Sequence, residues 1–230
     1  MNDTPNFRHE LKYQINYGKY SALKNRIKPI MTLDKYAKET GGYKIQSIYF
    51  DNYDDKALRE KLYGLQKHEK FRLRFYNDDF RNVKLEKKIK YNGLCLKYNA
   101  KLTAEETKAL LGGKTDWMLN HSEPLVRELY CQMQCKILRP KVLVSYYREP
   151  YVYQAGNVRV TFDSDIRTTL FRQNFSSEKI WAIDTAEQKG SMLLEIKYDN
   201  YLPEVISRLI QTDGIQQQSF SKYAAARRFD

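Results

Sequence analysis

Four short stretches of the chain alternate charged and apolar residues with a period of two. Arg8, Glu10 and Lys12 form one charged set, and Lys70, Arg72 and Arg74 a second. Lys84, Glu86, Lys88 and Lys90 form a third, and Arg159, Thr161, Asp163 and Asp165 a fourth. A strand sends successive side chains to opposite faces, so each set predicts one charged strand face. The residues between are largely apolar, as with Phe71, Leu73 and Phe75 or Val158, Val160 and Phe162, and predict the core face. A single strand of this kind is half-solvated. Several together can close into a barrel with a charged lumen and an apolar outside covered by helices.

The rest of the pattern fills in helices and turns. Strands are predicted at 7–15, 43–51, 69–77, 82–91 and 94–101, with turns at Asn77-Asp78-Asp79 and Asn92-Gly93. Tyr20, Leu23 and Ile27 predict a helix over 17–30, and Leu58 and Leu62 one over 53–66. Thr103 and Glu106 have capping-box spacing before a helix at 104–111. Ser122 opens a longer helix at 122–137, lined by Leu125, Leu129 and Met133 and ended by Pro140. Further strands are expected at 141–149, 151–154, 157–164, 178–184 and 191–198, then helices at 203–211 and 219–228, the last opened by Ser219. No repeat, low-complexity tract or linker divides the chain. The expectation is one α+β domain over 1–230.

Charge narrows the partners. Forty Lys and Arg stand against 28 Asp and Glu, a formal net charge of +12, which favours anions: nucleic acid, phosphate compounds or an acidic membrane surface. The 19 tyrosines and 10 phenylalanines could stack on bases. Phe71, Phe75 and Phe162, however, alternate opposite to the charges, which assigns them to the core and argues against nucleic acid. The three cysteines, Cys95, Cys131 and Cys135, fit a reducing compartment, and His9, His68 and His121 lack metal-binding spacing. The first residues lack the apolar core of a signal peptide, and no run of about 18 apolar residues occurs. A soluble, cytoplasmic protein is expected.

The candidate chemistry follows from the charged faces. Lys70, Arg72, Arg74, Lys84, Lys88, Lys90 and Arg159 would crowd positive charge if they shared a lumen. Two unit charges at 4 Å repel by about 4 kcal/mol at an effective dielectric near 20, so bound anions or interleaved carboxylates must offset them. Phosphate groups suit this, with Arg giving forked contacts and Lys point charges. Glu10, Glu86 and Glu195 each stand two residues before a lysine, on the same strand face as it. Their hard oxygens suit Mg²⁺ or Mn²⁺ bridging phosphate groups in phosphoryl transfer. A salt bridge along the strand is the plainer reading of any one pair. No P-loop, G-x-S-x-G or H-E-x-x-H motif occurs, so no covalent nucleophile is indicated.

At these residues the chain resembles the VTC-type polyphosphate polymerase domain of the CYTH, or triphosphate tunnel metalloenzyme, group. The resemblance is carried by Arg8-His9-Glu10-Leu11-Lys12-Tyr13, Ser47-Ile48-Tyr49-Phe50-Asp51, Lys70-Phe71-Arg72-Leu73-Arg74-Phe75-Tyr76 and Leu85-Glu86-Lys87-Lys88. It continues through Tyr147-Arg148, Val158-Arg159-Val160-Thr161-Phe162-Asp163, Leu194-Glu195-Ile196-Lys197 and Phe220-Ser221-Lys222-Tyr223, so it runs from about Phe7 to Arg228. It implies an eight-stranded antiparallel β-barrel tunnel with flanking helices. It also implies metal-dependent transfer of the ATP γ-phosphate onto a polyphosphate chain, with ATP and polyphosphate as partners. By position, Lys12, Arg72, Arg74, Lys88, Arg159 and Lys222 would be catalytic. Arg8, Lys70, Lys84, Lys90, Lys97, Arg148, Lys197 and Ser221 would bind substrate. Glu195, supported by Glu86 or Glu10, would hold the Mn²⁺ or Mg²⁺. Arg8 takes the first Glu position of the group's Glu-x-Glu-x-Lys opening, which fits the polymerase branch; Ser219 stands where that branch tends to carry a lysine. A triphosphatase of the same fold and a non-catalytic polyanion-binding barrel are the alternatives.

Overall fold

The period-two stretches do form strands. The structure is a computed structural model that describes residues 8–92, 94–170, 183–184, 190–211 and 214–227. In chain order the elements are β1 (His9–Asn16), α1 (Tyr17–Ile27), β2 (Thr32–Leu33), β3 (Tyr43–Asp51), α2 (Lys56–Leu62), β4 (Lys67–Tyr76), β5 (Asp79–Tyr91) and β6 (Leu94–Leu102). They continue with α3 (Ala104–Leu111), a 3₁₀ turn (Asp116–Asn120), α4 (Pro124–Cys135), β7 (Arg139–Tyr153), β8 (Val158–Leu170), β9 (Ile183–Asp184), β10 (Ser191–Tyr198), α5 (Glu204–Leu209) and α6 (Lys222–Ala226).

Hydrogen-bonded neighbours follow the order β1-β10-β8-β7-β3-β4-β5-β6, with β2 added to β7 and β9 to β8. The order is open: among the described residues no ladder joins β1 to β6. The described residues therefore form a mostly antiparallel sheet with flanking helices. Closure needs the two end strands to present matching edges. At the β6 end, Lys97, Tyr98 and Asn99 are all exposed, and the chain turns away into α3.

Contacts divide the described residues into two compact units. The first takes the chain up to Lys44, then Tyr146–Ile166 and Asp184–Ser221. Its core is Ile15, Leu23, Ile27, Val160, Phe162, Leu194 and Ile196, so α1 buries the Tyr20-Leu23-Ile27 stripe read from the sequence. The second takes Ile45–Ser145, Arg167–Ile183 and the chain from Lys222. There β3–β6 bury Ile48, Phe50, Phe71, Leu73, Phe75 and Leu85 against Leu110, Met118, Leu125, Val126, Leu129 and Met133. Each large apolar side chain so buried contributes roughly 1.5–3 kcal/mol.

Local chemistry sets the element ends. Thr103 Oγ1 accepts from the Glu106 N–H at 3.1 Å while Glu106 Oε2 accepts from the Thr103 N–H at 2.8 Å, the expected capping box. Asn77 and Asp78 take left-handed φ values of 50° and 59°, which turns β4 tightly into β5. Three expectations change. Pro150 does not end a strand: β7 runs through it as one element, because this residue needs to offer only its carbonyl, which accepts from the Asp34 N–H at 3.0 Å. Helix α4 opens at Pro124 after Glu123, not at Ser122, since proline favours the first helical turn. The terminal helix starts at Lys222, not Ser219. Of the strand expected at 178–184, the part before Ile183 lies outside the described residues. Among the described residues no helix is long and apolar enough to cross a membrane.

Candidate active site

In the first unit, two Glu-x-Lys segments meet antiparallel. Register places Glu10 opposite Lys197 and Lys12 opposite Glu195, a checkerboard in which each carboxylate faces an ammonium. Lys197 Nζ bridges both carboxylates, in contact with Glu195 Oε1 and 3.4 Å from Glu10 Oε1. Lys12 Nζ lies 3.7 Å from Glu10 Oε2 and donates to the Phe220 carbonyl at 3.1 Å. From β7, Arg148 Nη2 stands 3.6 Å from Glu195 Oε2. The same guanidinium forks onto Asp163 with two bonds of 2.7 Å. Gly42 leaves room for this part of β7, since a Cβ there would fall 2.5 Å from the Arg148 carbonyl oxygen.

Glu195 is 4% exposed. Burial pushes its carboxyl up, but Lys197, Lys12 and Arg148 outweigh burial and hold it well below the usual carboxylate range. Burial likewise opposes the charge of Arg148, and Asp163 more than offsets it, so Arg148 is held even more firmly protonated. Thr161, directly opposite Glu195 on β8, is 2% exposed, and among the described residues its Oγ1 has no hydrogen-bond partner.

The second unit carries a different surface. Register across β4, β5 and β6 stacks three rows on one face: Arg74–Lys84–Lys101, Arg72–Glu86–Asn99 and Lys70–Lys88–Lys97. Ser47 and Tyr49 of β3 extend the first two rows. Lys90 follows beyond, opposite His68 and Cys95. The grid thus holds seven cations around one carboxylate. Arg72 donates through Nε to Glu86 Oε2 at 2.7 Å and through Nη1 to the Tyr49 hydroxyl at 3.0 Å. Arg74 Nε lies 3.7 Å from the same carboxylate oxygen, and Lys97 Nζ contacts Glu86 Oε1.

These charges shift one another. Burial raises the Glu86 carboxyl, but Arg74, Arg72 and Lys97 hold it far below its ordinary range. Burial lowers the Lys97 ammonium, with Arg74 and Arg72 adding to the fall against the pull of Glu86, to about 8. Burial raises the Tyr49 phenol, yet Arg72, Arg74 and Lys222 bring it below its usual value. On the opposite face Lys87 leaves the site altogether, bridging Glu69 at 3.0 Å and Glu128 of α4.

The sequence-predicted residues therefore fall into two groups. Glu10, Lys12, Arg148, Glu195 and Lys197 gather in the first unit; Lys70, Arg72, Arg74, Lys84, Glu86, Lys88 and Lys97 share a face of the second. Two expected anion contacts are held by carboxylates instead: Arg159 by Asp34 at 2.8 Å, with Tyr43 also at 2.8 Å, and Arg8 by Asp199 at 2.7 Å. Ser221 belongs to the first unit and Lys222 to the second. Asp165 leaves its set, since a left-handed φ of 51° breaks the alternation there. Asn99, Lys101, Tyr49 and Thr161 were not singled out for the site. Continuing the period-two reading from Lys97 would have found the first two.

Among the described residues no three His, Cys, Asp or Glu side chains gather as a metal cluster. Glu10 and Glu195 nevertheless carry the hard oxygens that a divalent cation would take. They supply paired carboxylate oxygens around a bound ammonium, with the orphaned Thr161 hydroxyl beside Glu195.

A candidate adenylate cyclase from Bacillus halodurans is 13% identical with a TM-score of 0.54, over 93% of this chain and 95% of that one. A second, from Vibrio parahaemolyticus, is 11% identical with a TM-score of 0.51, over 96% and 98%. Both likenesses show the fold alone. No curated protein matches the chain. The family model of the VTC domain matches residues 7–229, nearly the whole sequence, and the chain belongs to the VTC domain family.

Proposed function

We propose that the protein is a metal-dependent polyphosphate polymerase that transfers the γ-phosphate of ATP onto a polyphosphate chain. The observation that carries this reading is the cation grid of the second unit, seven Lys and Arg around the single carboxylate of Glu86. Like charges directly opposite on neighbouring strands destabilise a sheet, as at Lys84–Lys101 and Lys88–Lys97. A phosphate chain offsets all of them at once.

In this reading Arg72 and Arg74 grip phosphate oxygens, with Glu86 holding both guanidinium groups in place. Lys70, Lys84, Lys88, Lys97 and Lys222 supply point charges to the triphosphate and the polymer. In the first unit Lys12 and Arg148 contribute to phosphate binding, and Lys197 and Arg159 do so as the anion competes for them with Glu195 and Asp34. Glu195 and Glu10 are the carboxylates we assign to Mg²⁺ or Mn²⁺. A cation held there would supply positive charge against that developing on the phosphate oxygens. The acceptor is the ionised terminal phosphate of a chain, so no general base is required, and the work of the protein is positioning and charge neutralisation.

The test is incubation with ATP and Mn²⁺ or Mg²⁺, with products resolved on a gel. A polyphosphate ladder supports the polymerase. Free phosphate alone would make the protein a triphosphatase, with water as acceptor. Binding of polyphosphate with steep salt dependence and no nucleotide turnover would make it a binding module.

A further inference from the structure

Helix α6 is five residues long, too short to persist without tertiary support. Its hold on the second unit is specific. Tyr223 is 2% exposed, and its hydroxyl donates to Asp51 Oδ2 at 2.5 Å. That carboxylate is already fixed: Oδ1 accepts from the Asn52 and Ala57 N–H groups at 3.0 and 2.9 Å, and Oδ2 from the Leu58 N–H at 3.1 Å. Asp51 therefore ties the start of α2 and the start of α6 to the end of β3. One turn further on, Arg227 donates to the Tyr223 hydroxyl at 3.1 Å and forks onto Asp55 at 2.8 and 3.0 Å.

The ring of Tyr223 reaches the basic face. It lies 5.3 Å from the ring of Tyr49, centroid to centroid, and Lys70 Nζ stands 5.1 Å from its centroid. Tyr49 in turn accepts from Arg72. Lys222 is the residue before Tyr223 and opens α6, so it shares the register of that single turn.

We propose that Tyr223 is a positioning residue: seated on Asp51, clamped by the Arg227–Asp55 fork and with its ring against Tyr49 and Lys70, it fixes the adjoining Lys222 at the start of α6, where Lys222 meets a substrate phosphate. This deepens the reading above and rests on its assignment of Lys222 to phosphate binding. The Tyr223 hydroxyl touches no substrate. It acts through the register of a single turn of helix, and a shift of about 1 Å there is enough to cost a large part of the contact.

A double-mutant cycle tests this on the full chain. Binding of inorganic tripolyphosphate, KM and kcat with ATP, and melting temperature are measured for wild type, Lys222→Ala, Tyr223→Phe and the pair. Lys222→Ala is expected to weaken tripolyphosphate binding about tenfold, and Tyr223→Phe about fivefold with KM rising more than kcat falls. Tyr223→Phe should add nothing once Lys222 is Ala, although it lowers the melting temperature in both backgrounds. Losses that simply multiply would overturn the inference, as would a Tyr223→Phe protein that melts earlier but binds tripolyphosphate as wild type does. Unchanged binding by Lys222→Ala would remove the phosphate role of Lys222, and the inference with it; multiplying losses beside a full Lys222→Ala effect overturn the inference alone. Should Tyr223→Phe not fold, Arg227→Lys, which keeps the charge but loses the fork on Asp55, runs the same cycle with the same expected outcome.

Discussion

Both units bury carboxylate among cations, and they balance it differently. Around Glu195, the carboxylates of Glu10, Glu195 and Asp163 meet Lys12, Lys197 and Arg148, acid for base. Around Glu86, one carboxylate faces Arg72, Arg74 and Lys97, and four further lysines share the face. A balanced cluster satisfies itself and can receive a cation among its oxygens. A face richer in cations than in carboxylates attracts an anion. Each unit therefore offers its own chemistry, one with paired carboxylates and the other with an excess of cations. The difference states how the units should respond when a carboxylate is removed from each.

The largest effect is expected at Glu195. Glu195→Ala leaves Lys197, Lys12 and Arg148 with their buried partner gone, and breaking a buried pair costs about 3–5 kcal/mol. Turnover with ATP should vanish, whereas tripolyphosphate binding by the folded protein stays the same or tightens. Calorimetric melting and a binding titration read both. Surviving metal-dependent turnover would erase the distinction between the units.

Glu86→Gln should be milder in its final effect, because the missing charge can be replaced. The variant melts earlier than wild type in low salt, yet tripolyphosphate should raise its melting temperature more than it raises that of wild type. An equal rise in both proteins would mean that the face does not take the anion where Glu86 now holds Arg72 and Arg74.

This contrast was only half legible in the sequence. Strands β3 to β6 were, because apolar residues at period two and the turn residues Asn77, Asp78 and Asn92 act over a few positions. The recurring Glu-x-Lys gave the ingredients of the checkerboard, but not that the segments at Glu10 and Glu195 would pair with one another. Asp34 on Arg159 and Asp163 on Arg148 were invisible as contacts, since the first joins residues 125 apart and neither leaves a local periodicity. The 3₁₀ turn at Asp116–Asn120 is too short to show one. Closure of a sheet is illegible for a related reason: it depends on how strand edges meet, which alternation within each strand does not specify.

A smaller effect should come from the lysine rows. Lys84 and Lys101 stand directly opposite one another on β5 and β6. Like-charged pairs in this position cost a few tenths to about 1 kcal/mol. Lys101→Gln should thus raise the melting temperature slightly without anion and weaken polyphosphate binding severalfold, most clearly at low salt. A variant that loses stability instead would show that this row is already satisfied.

The smallest effect is a pH dependence confined to the lopsided face. Burial and the neighbouring guanidinium groups lower the Lys97 ammonium from 10.5 to about 8, against the pull of Glu86. Below that value the amine is charged and attracts phosphate; above it the proton leaves and the attraction goes with it. A bound anion favours the protonated form, so tripolyphosphate affinity should fall as pH rises from 7 to 9, by no more than about tenfold per unit and less in salt, because the side chain is half exposed. Stability responds with the opposite sign. Between about 8 and 10.5 the unfolded chain holds this proton more tightly than the folded one, so the contribution of Lys97 to stability rises with pH across that window. Lys97→Arg keeps its charge throughout and should flatten the affinity profile while leaving the first unit untouched. A profile that bends equally in wild type and Lys97→Arg would assign the titration to some other group.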